Sequence, residues 1–346
     1  MRFIPGGAQV GAMLLIAFSL RGADLLLEYT FNDSGPQTRG TERSAWEWPL
    51  DFQTQEGGPA DWHGAAGSGV SGLPTDRAFD NSAATGMGTN GRGGRARGTP
   101  PPDAPELDSM TLSGWYRAES APAGNFARLF FWDGYRQLYA CPDGVLRLSV
   151  AAGQMAGSPP VYLEVGQWVF FAVSFDRNKK SNNVQFWKGT RTKPVTLVAT
   201  RTVSSGPFRP SHYRFTLGNS YFNSTPTQPF DGWLDNFRLH GGRGSSGVLS
   251  EAELEALRRA DVAGKTPPVR LRVQLDVTPV AGPPAGLRFG WWSILGHRHQ
   301  LQQSADLRAW SDVPEAAADG DGERQTHTLA PLPGEPRFYR LKVVPQ

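Results

Sequence analysis

The feature that most constrains this chain is a long succession of short β-type runs, each stopped by a turn cluster, with one good helix signal in the whole sequence. The runs 110–117, 127–132, 145–150, 168–176, 184–187, 195–203, 213–217 and 232–239 all read as strands. In the third, Leu146, Leu148 and Val150 alternate with other residues, the period-2 mark of a half-buried strand. Residues Trp168 to Phe175 (WVFFAVSF) are apolar on both faces, which predicts a central strand. Asp133-Gly134, Pro142-Asp143-Gly144 and Lys188-Gly189 supply turn chemistry between runs. Many short strands at such spacing predict an all-β protein built as a two-sheet antiparallel sandwich.

The flanking segments set the domain plan. Arg2 precedes an apolar run from Val10 to Leu20, followed by Arg21-Gly22-Ala23. Such a run is too short to span a bilayer and reads as a signal peptide over residues 1–23. Export to the periplasm, the cell surface or the medium follows as an expectation, with no membrane span after cleavage. Leu25 to Phe31 is a strand stopped by Asn32-Asp33-Ser34-Gly35-Pro36, and residues 35–105 read as loop-dominated. Ser250 and Glu253 form a capping box ahead of Leu254 and Leu257, so one short helix closes a domain over 24–264. Thr266-Pro267-Pro268 marks a stiff linker at 265–269, and residues 270–346 then read as a small C-terminal β sandwich of four or five strands.

Composition excludes several classes. The net charge is only +3 and the 35 basic residues are scattered, whereas nucleic-acid binding needs a clustered basic stripe. The one cluster, Arg92, Arg95 and Arg97, reads as a solvated loop. Cys141 stands alone, so there is no intramolecular disulfide, and it reads as a small buried side chain.

Motif order carries a resemblance. Residues 112–117 (LSGWYR), 167–173 (QWVFFAV), 215–218 (FTLG), 230–239 (FDGWLDNFRL) and 249–254 (LSEAEL) occur in the sequence seen in concanavalin A-like (laminin-G-like) jelly-roll domains. Residues 25–262 resemble that family. The resemblance implies a jelly-roll sandwich with a closing strand and terminal helix, and commonly glycan or protein binding. Residues 300–310 and 337–341 resemble a C-terminal β module of exported bacterial proteins.

Asp235 is the most pointed candidate. On a regular strand Trp233, Asp235, Phe237 and Leu239 share one apolar face, and a carboxylate there requires a partner. Backbone N–H groups or an arginine are one solution; structural calcium is the other. The resemblance implies an ion between the loop after the first strand and the closing strand, which makes Asn32, Asp33 and Asp235 the metal candidates. Other constellations are weaker. Gly86 to Gly91 fits a dinucleotide glycine pattern but lacks the strand and helix around it. His297 and His299 lack a third ligand, and Asp319 to Glu323 reads as a hairpin turn.

The resemblance also covers glycosidases, so catalysis needs a test. Retaining hydrolysis takes two carboxylates about 5 Å apart, and the one Glu-x-Asp, Glu106-Leu107-Asp108, lacks the third acid and follows a Pro-rich loop. The expectation is an exported, non-catalytic binding or adhesion protein whose partner is a glycan or an extracellular protein. Trp132, Tyr135, Tyr221 and Phe222 are the candidate stacking platforms. A structural surface protein with protein contacts alone, or a glycoside hydrolase, are the alternatives.

Overall fold

Alternating apolar residues form the strands here, and the turn clusters end them. The structure is a computed structural model, and it describes residues 24–345 apart from 42–43, 45–47, 55–57, 89–90, 100–105, 133–135, 205, 209–214, 221–227, 243, 266–275, 281–285, 293–296, 320–323 and 330–337. The expected signal segment 1–23, and the expected linker apart from Lys265, lie outside the described residues. Two compact units emerge, one within Gly22–Arg270 and one within Leu271–Gln346.

The first unit begins with β1 (Asp24–Tyr29), β2 (Gln37–Thr38), β3 (Leu50–Gln53), β4 (Phe79–Asp80) and β5 (Arg95–Gly98). Then come β6 (Ser109–Ala118), β7 (Ala127–Trp132), β8 (Arg136–Ala140), β9 (Leu146–Ala151) and β10 (Gln154–Gly157). It closes with β11 (Val169–Asp176), β12 (Val184–Thr190), β13 (Thr196–Arg201), β14 (Phe215–Leu217), β15 (Gly232–Gly242) and the helix α1 (Glu251–Val262). One sheet runs β1-β15-β6-β11-β12-β13 with β4 on β15; the other runs β10-β9-β8-β7-β14-β5-β3-β2. Every ladder between these strands is antiparallel. This is the two-sheet antiparallel sandwich that the periodicity predicts, in the jelly-roll form that the resemblance implies.

The first sheet is buried on both faces. Val169, Phe171, Val173 and Phe175 of β11 join Leu112 and Leu239 in a core shared with Phe130, Leu148 and Phe215 of the second sheet. Phe170 and Ala172 point the other way, into a second core with Trp115, Val70, Leu254 and Leu257. The helix and the 64–78 segment therefore roof the outer face of the first sheet, which explains a central strand with no polar face. Ser250 caps α1 as expected: its hydroxyl accepts from the Glu253 N–H, and its own N–H donates to the Glu253 carboxylate at 2.9 Å. On the helix Leu254, Leu257, Arg258 and Asp261 form the buried stripe.

The described residues of 35–105 are mostly loop, as expected, and carry four short strands, β2 to β5. Arg95 is a correction to the solvated-loop reading. It sits on β5, 2 % exposed, with Nε and Nη2 donating to Gln53 Oε1 at 3.0 and 2.7 Å. These strands are two to four residues long, too short to show a period. Cys141 is buried, as expected.

The second unit holds β16 (Asp276–Val280), β17 (Gly286–Trp292), β18 (His297–Ser304), β19 (Ser311–Asp319), β20 (Arg324–Leu329) and β21 (Phe338–Pro345). They form two three-stranded sheets, β16-β17-β20 and β19-β18-β21, around Phe289, Trp291, Leu301, Val313 and Ala316. Of the acidic stretch expected as a hairpin turn, residues 320–323 lie outside the described residues.

Candidate functional site

The closing strand departs from simple alternation at one residue. Asn236 has φ 48°, and the β15–β6 register jumps between Asp235, opposite Trp115, and Arg238, opposite Ser113. Two residues thus face the single Gly114, a β-bulge. Gly114 suits that place, because a Cβ there would stand 3.2 Å from the Phe237 Cα. The bulge reverses the phase of the strand. Leu234, Phe237 and Leu239 face the core between the sheets, while Trp233 lies against the helix-side core. The uniform face expected for Trp233, Asp235, Phe237 and Leu239 is therefore corrected: Asp235 and Arg238 share the helix side instead.

Asp235 is fully buried, and backbone satisfies it. Oδ2 accepts the Val70 N–H at 2.8 Å and Oδ1 accepts the Asn236 N–H at 2.7 Å. Burial, reinforced by the neighbouring Asp76, pushes its carboxyl well above the usual carboxylate range against the pull of those hydrogen bonds.

Beside it lies a buried ion network that the sequence reading missed. Arg238 grips Asp261 of α1 in a bidentate pair, Nη2 to Oδ1 at 2.7 Å and Nη1 to Oδ2 at 2.9 Å. Its Nε donates to Glu28 Oε1 at 2.7 Å, directly across the β1–β15 ladder. Trp115 Nε1 donates to Asp261 Oδ2 at 2.9 Å, and the Thr41 hydroxyl to Glu28 Oε2 at 2.6 Å. Burial opposes the guanidinium charge, but Asp261 and Glu28 outweigh it and hold Arg238 above its ordinary value. One signal was available: Asp261 falls seven residues after Leu254, on the same helix face.

Over this network opens a cleft of about 420 Å³. Thr30, Asn32, Thr41, Ser71, Thr75 and Asn236 line it with hydroxyl and amide groups. Glu28, Asp76 and Asp261 contribute carboxylates, Arg238 and Lys265 cations, and Leu73 the one large apolar side chain of the lining.

The three metal candidates do not fit a shared calcium. Asn32 Oδ1 accepts the Arg77 N–H at 2.7 Å, and Asp33 Oδ2 accepts the Thr38 hydroxyl and the Arg39 N–H, each at 2.9 Å. Both Asp235 oxygens are already committed. Among the described residues no three His, Cys, Asp or Glu side chains gather as a metal-ligand set. Cationic Arg238 sits between β1 and β15 instead.

Of the aromatic candidates, Tyr135, Tyr221 and Phe222 lie outside the described residues. Trp132 is a correction: it is fully buried between the sheets, with the rings of Phe215, Phe130 and Phe208 at 5.4, 6.0 and 6.0 Å. Alternation on β7 turns it inward, so it offers no face to a sugar. Of the Glu-x-Asp pair, Asp108 is committed to the Gly244 N–H at 2.8 Å and to Arg177 at 3.0 Å.

Residues 92–253 match the family model of the concanavalin A-like lectin/glucanases superfamily. The sandwich also resembles several solved structures. One is domain 4 of AbnA, a GH43 extracellular arabinanase from Geobacillus stearothermophilus, in complex with arabinotriose. It has a TM-score of 0.46 and 15% identity, over 68% of this chain and 99% of that one. A putative carbohydrate binding protein from Bacteroides ovatus matches with TM-score 0.36 and 16% identity, over 46% of this chain and 44% of that one. The binding domain of botulinum neurotoxin DC in complex with SialylT matches with TM-score 0.43 and 9% identity, over 84% and 78% of the two chains. No curated protein matches the chain.

Proposed function

We propose that this chain is an exported, non-catalytic glycan-binding protein whose site is the cleft between the 64–78 segment, β1, β15 and the end of α1. The observation that carries the reading is the cleft lining. Six hydroxyl or amide side chains and three carboxylates surround a volume of about 420 Å³, with Leu73 as the one large apolar group. That balance suits a sugar, whose hydroxyls both donate and accept, and the volume lies in the range of small-ligand sites. The Glu28–Arg238–Asp261 network fixes the floor, so little ordering is left to the binding step. The match of residues 92–253 to the family model of the concanavalin A-like lectin/glucanases superfamily is consistent with it.

Binding is favoured over hydrolysis by the state of the acids. Glycoside cleavage requires one carboxyl that can give a proton and another free to attack or to activate water. Here Glu28 and Asp261 are both locked onto Arg238. The apolar run Val10 to Leu20 behind Arg2 supports export, and among the described residues no helix is long and apolar enough to cross a membrane.

The test is a glycan array probed with the full chain, followed by incubation of each bound glycan with excess protein. The reading expects retained, uncleaved oligosaccharides. An array without a single bound glycan overturns the binding assignment, and released reducing ends overturn its non-catalytic part.

A further inference from the structure

The second sheet buries a cation that no carboxylate among the described residues neutralises. Arg128 on β7 is 5 % exposed. Its Nη2 donates to Gln228 Oε1 at 2.9 Å, whereas Nε and Nη1 are buried and find no acceptor among the described residues. Around its guanidinium carbon stand the rings of Tyr139, Phe126 and Phe131, at 4.7, 4.8 and 5.7 Å. Two other buried arginines hold carboxylates: Arg238 grips Asp261 and Glu28, and Arg258 grips Glu255. No carboxylate among the described residues pairs with Arg128. Burial accordingly drags its proton affinity down, to a pKa of about 10.

The neighbouring strand repeats the pattern with the opposite polarity. Gln137 of β8 lies opposite Phe131, two positions along from Tyr139, which lies opposite Arg128. Gln137 is 9 % exposed, and its Oε1 is a buried acceptor with no donor. Aromatic rings solvate a guanidinium only in part, since they accept charge over a face but take no N–H in a linear bond. An unmet charged donor and an unmet neutral acceptor on one face therefore ask for a ligand with an oxyanion and a hydroxyl. Its rim is apolar and accessible: Phe126 is 37 % and Met155 53 % exposed, and both pack on Tyr139.

We propose that Arg128 anchors a second ligand site, on the outer face of the second sheet, that takes a carboxylate-bearing sugar. The carboxylate meets the free Nε–H and Nη1–H, a hydroxyl donates to Gln137 Oε1, and the ring C–H face packs on Phe126. Rotation of the partly exposed Phe126 ring opens the guanidinium. An arginine fork matches a carboxylate better than it matches a lone halide, which makes the planar acid the fitting anion. This site goes beyond the cleft and does not depend on it.

The experiment titrates the full chain by calorimetry with glucuronic acid, its methyl ester, and inorganic sulfate, and records thermal unfolding alongside. The wild type is expected to bind the free acid at least tenfold more tightly than the ester or sulfate. Arg128→Met is expected to lose that binding at least tenfold, while its ligand-free melting temperature stays equal to or above that of the wild type, because an uncompensated buried charge has been removed. Thr75→Trp, which fills the cleft, is expected to bind the acid unchanged. Acid binding that survives in Arg128→Met but disappears in Thr75→Trp overturns the proposal and places the acid in the cleft. Equal binding of acid and ester or sulfate overturns the carboxylate assignment. A sharp fall of the ligand-free melting temperature in Arg128→Met shows that the arginine serves packing alone, and overturns the site altogether.

Discussion

At Asp235 one carboxylate ties together two stretches of backbone 165 positions apart, the 64–78 segment and the closing strand. Its raised pKa fixes the sign of a pH effect. A carboxyl that holds its proton more tightly when folded contributes fully below the ordinary carboxylate range, and that share declines as pH rises through the raised value. The stability difference between wild type and Asp235→Asn, measured by urea unfolding, should therefore fall as pH goes from about 4 to about 7. A difference that stays flat refutes the assignment. Arg238 presents the opposite case, a charge whose loss strands two partners. Arg238→Met leaves Glu28 and Asp261 buried without a cation and should cost about 3–5 kcal/mol, read from the same denaturation curves.

The bulge in β15 is the element that decides which side chains reach the cleft. Asn236 occupies a left-handed conformation, φ 48°, that asparagine and glycine tolerate and β-branched residues do not. Asn236→Gly should stay within about 1 kcal/mol of wild type, whereas Asn236→Val should lose about 1–3 kcal/mol and displace Arg238. The helix has its own fastening. Glu255 accepts from Arg258, from the Val195 N–H and from Arg259, and Arg258 chiefly holds it down to a pKa of about 2. Its stabilisation is complete above the ordinary glutamate range and lost as pH falls toward 2, so Glu255→Gln should flatten the acid side of the melting-temperature profile. The long central strand β11 was legible because apolar residues mark both of its faces. The capping box at Ser250 was legible because its two partners lie three residues apart. The bulge was not, since nothing local distinguishes Asn236 from an ordinary strand residue, and the error of phase at Phe237 and Leu239 followed from it. Of the three metal candidates, Asn32 lines the cleft and Asp235 does not. The cation in its floor, Arg238, was hidden because its partners Glu28 and Asp261 come from distant elements.

Across the whole molecule, the jelly roll and the C-terminal unit have separate cores. A chain ending at Lys265 should therefore unfold cooperatively and keep its glycan binding; loss of binding with folding retained shows that the site requires residues within 266–346. The proposed glycan site is the polar cleft over the Glu28–Arg238–Asp261 network. Thr75 is exposed and lines that cleft, so an indole there fills the space without touching either core. The direct measurement is isothermal titration of wild type and Thr75→Trp with the best neutral oligosaccharide from the array. The account predicts at least a tenfold loss of affinity, about 1.4 kcal/mol, with the melting temperature unchanged. Undiminished affinity in Thr75→Trp contradicts it.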